Sequence, residues 1–176
     1  NAIPNEVDFH ETYLPAFKAL VDNGVEGVMC AYNQLNDEPC CGNNPLLQSI
    51  LRDQWGFTGY IVTDCWALND FITHQKIVDS ELKAAQMAVR AGVNLNCGQI
   101  YRILPEAVRQ GYVSEQEIDE LLRPLLTVRY KLGLLDPPGM LPFSDITKEV
   151  INCQNHIDLA YESAVKSVVM LKNNGT

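Results

Sequence analysis

The chain has 176 residues, 47% apolar and 20% charged, enough for one globular domain with a sizeable core. Its net charge of −9 argues against a nucleic-acid or anionic-membrane partner, which would call for a basic surface. No apolar run approaches the ~18 residues of a membrane span.

The opening "NAIPNEVDFHETY" has neither the basic start nor the apolar stretch of a signal peptide, and no initiator Met. An excerpt of a longer chain is therefore expected. Asp8 and Glu11 have capping-box spacing, and Tyr13, Leu14, Phe17, Leu20 and Val21 make an apolar stripe that stops near Gly24. Pro15 sits badly inside a helix, so the regular helix is expected to begin near it. "GVMCAY" (27–32) then reads as a short buried strand, and "NPLLQSILRDQWGF" as a helix with Pro45 in its first turn and Gly56 past its end. "GYIVTD" (59–64) is a second strand and "DSELKAAQMAVRAG" a helix stopped by Gly92. "GVNLNC" (92–97) is a third strand. "QIYRILPEAVRQG" and "SEQEIDELLRPLLTVRYKLG" follow as helices, the second opened by Ser114 and Glu117 at capping-box spacing. "DPPGMLPFSD" is a Pro/Gly-rich connector, and "HIDLAYESAVKSVVMLKNN" predicts a helix running into a β-like piece at 168–171.

The strand ends Tyr32, Asp64 and Asn96 are 32 residues apart, the length of one βα unit with its loops. The fold class is therefore α/β: a partial (β/α) TIM-like barrel with parallel strands and covering helices. Three strands cannot close a barrel, so further strands are expected, from the same or another chain. Residues 1–150 are assigned to the C-terminal half of a barrel and 151–176 to a helix and linker leading to a second domain.

None of the six cysteines forms a C-x-x-C pair, which disfavours a zinc or redox motif. Cys30, Cys65 and Cys97 end apolar runs, where Cys is most often a small buried hydrophobe. Cys40 and Cys41 fall in a polar turn, read as loop packing or a disulfide to an absent segment; the redox compartment stays open.

Sites in parallel βα folds collect at the C-terminal ends of strands. Here those ends offer one carboxylate (Asp64), two side chains suited to a ring or sugar face (Tyr32, Trp66), and the amides of Asn33 and Asn96. This set suits a neutral polyhydroxylated ligand. From pattern alone, Asp64 is as much a helix cap as a chemical group. Asp70 reads as a cap or solvated loop acid, His74 as a surface residue, and His10 and His156 as structural.

The run "VMCAYNQLNDEPCCGNNPLLQSILRDQWGFTGYIVTDCWAL" resembles the core of glycoside hydrolase family 3, the β-glucosidase and β-xylosidase group. The shared pattern is V-M-x-x-Y-N, then P-x-x-x-N-x-x-L-L, then L-R-x-x-W-G-F-x-G-x-[IV]-V-[ST]-D. "ETYLPAFKALV", the segment from "AGVNLNCG" to "YKLGLLD", and "SAVKSVVMLKNN" are similar to that family too. The resemblance implies a retaining hydrolase with Asp64 as nucleophile and with Met29 and Tyr32 lining the terminal-sugar pocket. Many relatives keep a Trp directly after the nucleophile; here Cys65 takes that place and Trp66 follows, a pair closer to the β-xylosidase branch. The family's acid/base carboxylate and its Lys-His and Arg sugar ligands lie outside these residues, so the chain by itself is expected to be inactive.

The implied partners are an oligosaccharide or aryl glycoside, the remainder of the barrel and a second domain, with no nucleic acid and no membrane span. No cofactor or metal is implied. The sugar is xylose or glucose, and the place periplasmic or secreted. The rival reading is a non-catalytic barrel fragment that binds carbohydrate or a partner chain.

Overall fold

The computed structural model describes residues 1–175, which divide into two compact units, one from Asn1 to Leu132 and a second from Gly133 onward. In the first unit, strands β1 (Gly27–Cys30) and β4 (Tyr60–Thr63) pair in parallel, with Val28 opposite Ile61 and Cys30 opposite Thr63. Between them a small antiparallel hairpin joins β2 (Gln34–Leu35) to β3 (Glu38–Pro39). Asn36 and Asp37 make its turn, both with positive φ (52° and 67°), the geometry of a type I′ turn that Asn and Asp tolerate best. Ala2 makes a parallel bridge to Leu35.

The expected third strand is reduced to one parallel bridge, Val62 to Leu95. The backbone of 94–95 still donates twice to the Ile61 carbonyl, and Thr63 N–H donates to Leu95 at 2.9 Å. Pairing stops there because Asn94 and Asn96 turn their side chains to other work. Asn94 is 7% exposed, and its Oδ1 accepts from Ile61 N–H (2.7 Å) and Arg52 Nη2 (3.1 Å) while its Nδ2 donates to the Leu121 carbonyl (2.8 Å). Arg52 also gives Nη1 to the Phe57 and Gly59 carbonyls and lies over the Phe57 ring. Burial lowers its pKa, yet these acceptors suit only the charged fork.

Glycine opens both paired strands for a steric reason. A Cβ on Gly59 would run into the Glu26 carbonyl, which accepts the first interstrand bond from Tyr60 N–H (3.0 Å). A Cβ on Gly27 would sit 2.7 Å from the Tyr60 ring.

The helices follow the sequence with local differences. The first begins at α1 (Glu6–Asp8) rather than near Pro15, and Asn5 caps it by accepting from Asp8 N–H. A wide π-type turn over Phe9–Tyr13 leads into α2 (Leu14–Asp22), which accommodates Pro15, a residue with no N–H to give. A π-helical segment, Pro45–Gln54, precedes β4. Helix α3 (Ala67–Thr73) was not expected; it buries Ala67, Leu68 and Phe71. Asp70 therefore lies inside a helix and bonds His74 Nδ1 at 2.7 Å, rather than capping a loop. Helix α4 (Glu81–Arg90) is capped by Ser80, and a 3₁₀ turn leads into α5 (Leu104–Arg109). Helix α6 (Glu115–Lys131) carries the expected Ser114–Glu117 capping box.

The core lies between the sheet and these helices, where Ile61, Leu68, Phe71, Ala84, Ala88, Val93 and Ile100 are fully or almost fully buried. By alternation Ile61 and Thr63 face that core, so Val62 and Asp64 share the opposite face with Met29, the register partner of Val62. That opposite face is open, with Met29 and Leu95 exposed.

In the second unit, turns recur between 133 and 145, a 3₁₀ turn spans Lys148–Val150, and helix α7 spans Gln154–Ser167. The β-like piece expected at 168–171 is absent: Val168 itself is extended, and residues 168–175 have no ladder partner among the described residues.

Candidate active site at the strand ends

Asp64 is the first residue beyond β4. Its backbone N–H donates to the Cys30 carbonyl at the end of β1 (3.0 Å), so the pairing of the two strands carries through to it. Its Oδ1 accepts from the next backbone N–H, that of Cys65, at 2.7 Å. Thr63, buried behind it, uses its Oγ1 to accept from Cys97 N–H (3.0 Å) and Asn96 Nδ2 (3.2 Å). The ends of all three chain segments are thereby tied into one rigid rim.

Two disulfides reinforce it. Cys30 pairs with Cys41, and Cys65 with Cys97. This corrects the expectation that Cys30, Cys65 and Cys97 are small buried hydrophobes, and that Cys41 serves loop packing or pairs with an absent segment. Cys40 is buried and free. The signal was present in the spacing. Cys65 and Cys97 each stand just past a strand end, 32 residues apart, and adjacent parallel strands set such positions side by side.

Trp66 holds a left-handed backbone, φ 69°, unusual for a bulky residue and a form of local strain worth about 1–3 kcal/mol. Its N–H donates to the Cys97 carbonyl at 2.6 Å, and its own carbonyl receives Asn69 N–H at 2.8 Å. The left-handed turn ends the strand segment and starts α3 at once, leaving the indole half exposed.

Tyr32 comes from the loop after β1. Its hydroxyl donates to the Cys65 carbonyl, and Gln75 Nε2 holds its backbone carbonyl at 2.7 Å. Lost hydration raises the phenol pKa first, followed by the nearby negative charge of Asp64 and, last, that of Asp70. Tyr32 is thus kept neutral, as a hydrogen-bond donor beside an anion.

The structure brings Asp64, Tyr32 and Trp66 together. Met29 shares the open sheet face with Asp64 but lines a cleft of about 650 Å³ with Phe9, Leu14, Phe17, Leu46 and Leu51, to which Asp64, Tyr32 and Trp66 do not contribute. Gln75 is the contributor that sequence reasoning missed; a lone Gln after a short helix carries no pattern. His74 is exposed and engaged with Asp70. Among the described residues no three His, Cys, Asp or Glu side chains converge as a metal site would require, and no helix is long and apolar enough to cross a membrane.

Residues 2–128 match the glycosyl hydrolase family 3 N-terminal domain. The chain belongs to that family. Among curated relatives, this family 3 chain is 43% identical over 169 residues to a xylan 1,4-β-xylosidase of Xylanibacter ruminicola, covering 94% of the chain and 20% of the relative. It is 36% identical to β-D-xylosidase 1 of Arabidopsis thaliana, over 99% of the chain and 23% of the relative. Among solved structures it superposes on a GH3 exo-β-xylosidase (XlnD) in complex with a xylobiose aziridine activity-based probe, with a TM-score of 0.88, 30% identity, and coverage of 99% of the chain and 23% of that structure. A β-glucosidase from Listeria innocua gives a TM-score of 0.83 at 26% identity, with 99% and 24% covered. The partial (β/α) barrel read from the sequence agrees with these neighbours. The chain spans less than a quarter of the length of the two curated relatives.

Proposed function

We propose that these residues carry the nucleophile of a retaining exo-β-glycosidase that removes terminal β-linked xylose or glucose. The observation that carries the reading is the Asp64 carboxylate at the C-terminal end of β4. Its Oδ1 is held by Cys65 N–H, the Tyr32 hydroxyl lies on the Cys65 carbonyl, and the exposed Trp66 follows two residues on in the chain. In this reading Oδ2 attacks the anomeric carbon as the leaving oxygen takes a proton from an acid outside these residues, forming a glycosyl ester on Asp64. The same outside group then draws a proton from water, which opens the ester and releases the sugar with its β configuration retained. Tyr32 keeps its proton on the Cys65 carbonyl and offers its oxygen to a sugar hydroxyl, while Trp66, and Met29 from the sheet face it shares with Asp64, offer apolar surface to the ring.

Xylose is favoured over glucose by the Asp64-Cys65 pair and by relatives named as xylosidases. The two disulfides fit an oxidising, periplasmic or secreted, location. Residues 1–150 would then serve the catalytic barrel and 151–176 the passage to a second domain.

The test uses the complete polypeptide that bears these residues. Asp64→Ala should lower turnover of an aryl β-xyloside by at least about 10³-fold with the fold intact. A slow 2-fluoro xyloside should label Asp64 covalently. Near-normal turnover of the variant, or a label mapped to another residue, refutes the assignment. Binding of xylooligosaccharide with no turnover by the intact polypeptide would favour the non-catalytic reading.

A further inference from the structure

The segment 64–66 is short, irregular and strained, yet it has to present a carboxylate with little positional freedom. Preorganised sites tolerate about 0.5 Å of slack, and a misplacement near 1 Å costs about 100-fold in rate. The Asp64 side chain has one backbone donor, Cys65 N–H, so the direction of the Asp64–Cys65 peptide fixes the direction of the carboxylate. That peptide is followed by the left-handed Trp66, a conformation an aromatic residue does not hold unaided. Two links restrain it to the neighbouring chain segment: the Trp66 N–H bond to the Cys97 carbonyl and the Cys65–Cys97 disulfide. Cys97 is anchored in turn by its N–H on the buried Thr63 hydroxyl. Cys65 also receives the Tyr32 hydroxyl on its carbonyl, so the next peptide, Cys65–Trp66, holds the second polar group of the site.

The two disulfides differ in surroundings. Cys30 and Cys41 are buried in the core, whereas Cys65 is exposed and Cys97 half-buried. Among the described residues the second bridge is the more exposed of the two, the one expected to meet a solvent thiol first.

We propose that the Cys65–Cys97 disulfide is the positioning device of the nucleophile, and that its reduction turns catalysis down without unfolding the domain. The inference rests on Asp64 being the nucleophile. When a solvent dithiol such as dithiothreitol attacks, one of its thiolates forms a mixed disulfide with one cysteine and releases the other as a thiolate. Its second thiol then closes the cyclic disulfide. Two electrons pass to the protein, which gains two thiols, and the reagent leaves oxidised. Freed of the bridge, Trp66 relaxes towards an ordinary backbone conformation, and the Cys65 N–H turns off the Asp64 carboxylate.

The experiment takes the complete polypeptide in its oxidised form and treats it with graded dithiothreitol. Free thiols are trapped with iodoacetamide and mapped by mass spectrometry, alongside kcat and KM for an aryl β-xyloside. Cys65 and Cys97 should become alkylated before Cys30 and Cys41. Over that interval kcat should fall about 10- to 100-fold, KM should change less than about threefold, and the domain should stay folded at the assay temperature, its melting temperature lower only by what the loss of one cross-link costs. Reoxidation should restore kcat. The double variant Cys65→Ser with Cys97→Ser should show the reduced kcat from the outset, insensitive to dithiothreitol. Labelling by the 2-fluoro xyloside should slow in proportion while remaining on Asp64.

A double variant that labels Asp64 at the full rate overturns the positioning role and leaves the nucleophile standing. A loss of kcat that appears only together with melting also overturns it, since the bridge would then merely support the fold. A label on any other residue overturns both readings together.

Discussion

Asn94 is the side chain on which the alignment of the site rests most heavily. Asn94→Ala removes the acceptor of the buried Ile61 N–H, one acceptor of Arg52, and the donor to the Leu121 carbonyl. Ile61 has no solvent exposure, so its stranded N–H alone costs about 1–3 kcal/mol. The bond from the charged guanidinium adds about 1.5 kcal/mol, at the low end because Arg52 keeps the Phe57 and Gly59 carbonyls at 3.2 Å. The Leu121 bond adds about 0.5–1 kcal/mol, for a total of about 3–5 kcal/mol. At 1.4 kcal/mol per factor of ten, amide exchange over residues 60–63 in the complete polypeptide should accelerate about 10²- to 10⁴-fold, readable by hydrogen-exchange mass spectrometry. Asn94→Asp retains an acceptor for Ile61 and Arg52 and should lose less than half as much. Equal losses for Ala and Asp, or a loss below about 1 kcal/mol for Ala, would refute the reasoning that this one amide locks the strand ends together.

Ser114→Ala should loosen the start of α6 by about 1 kcal/mol, seen as faster exchange at its first amides, because the hydroxyl that accepts from Glu117 N–H is lost while the backbone N–H of residue 114 still donates to the Glu117 carboxylate. The Ser114 backbone N–H, then its hydroxyl, hold the Glu117 carboxyl below the usual carboxylate range. Because the folded pKa is depressed, this support is complete above the ordinary Glu value of about 4.3 and is lost as pH falls through the folded one. Glu117→Gln should remove that acid dependence of the α6 amides. At the rim, Trp66→Gly should leave the fold at least as stable as Trp66→Ala, by about 1 kcal/mol, since only glycine holds φ 69° without strain. Both variants should raise KM for an aryl β-xyloside if the indole stacks on substrate.

Periodicity made most of the first unit legible. Apolar runs opened by Gly27 and Gly59 became the two paired strands, and Ser114 with Glu117 marked a helix start to the residue. What escaped depends on contacts far apart in the chain. "GVNLNC" has the composition of a strand, but Asn94 and Asn96 spend their side chains on neighbouring segments, so a single bridge remains. Helix α3 has seven residues and no side-chain cap, too short for a period to show. The Asn36-Asp37 turn was readable, since both residues accept positive φ, although its strands have only two residues each. Asp64 and Tyr32 were legible as strand-end residues; that one residue, Cys65, holds Asp64 by its N–H and Tyr32 by its carbonyl was not, because it depends on a backbone turn that no side-chain pattern encodes.

The parallel pairings share one separation. In the parallel sheet, Gly27 with Tyr60 and Val62 with Leu95 lie 33 residues apart, and the bridge from Ala2 to Leu35 of the hairpin has the same separation. Each new strand therefore faces the same loop-closure cost as the one before it. A sheet built on that interval can grow by accretion as the chain emerges. At typical synthesis rates a strand waits about 2–7 s for its next neighbour. During that wait its edge and its apolar face stay wet, so the hazard for such a chain lies in its pace of assembly rather than in its finished stability.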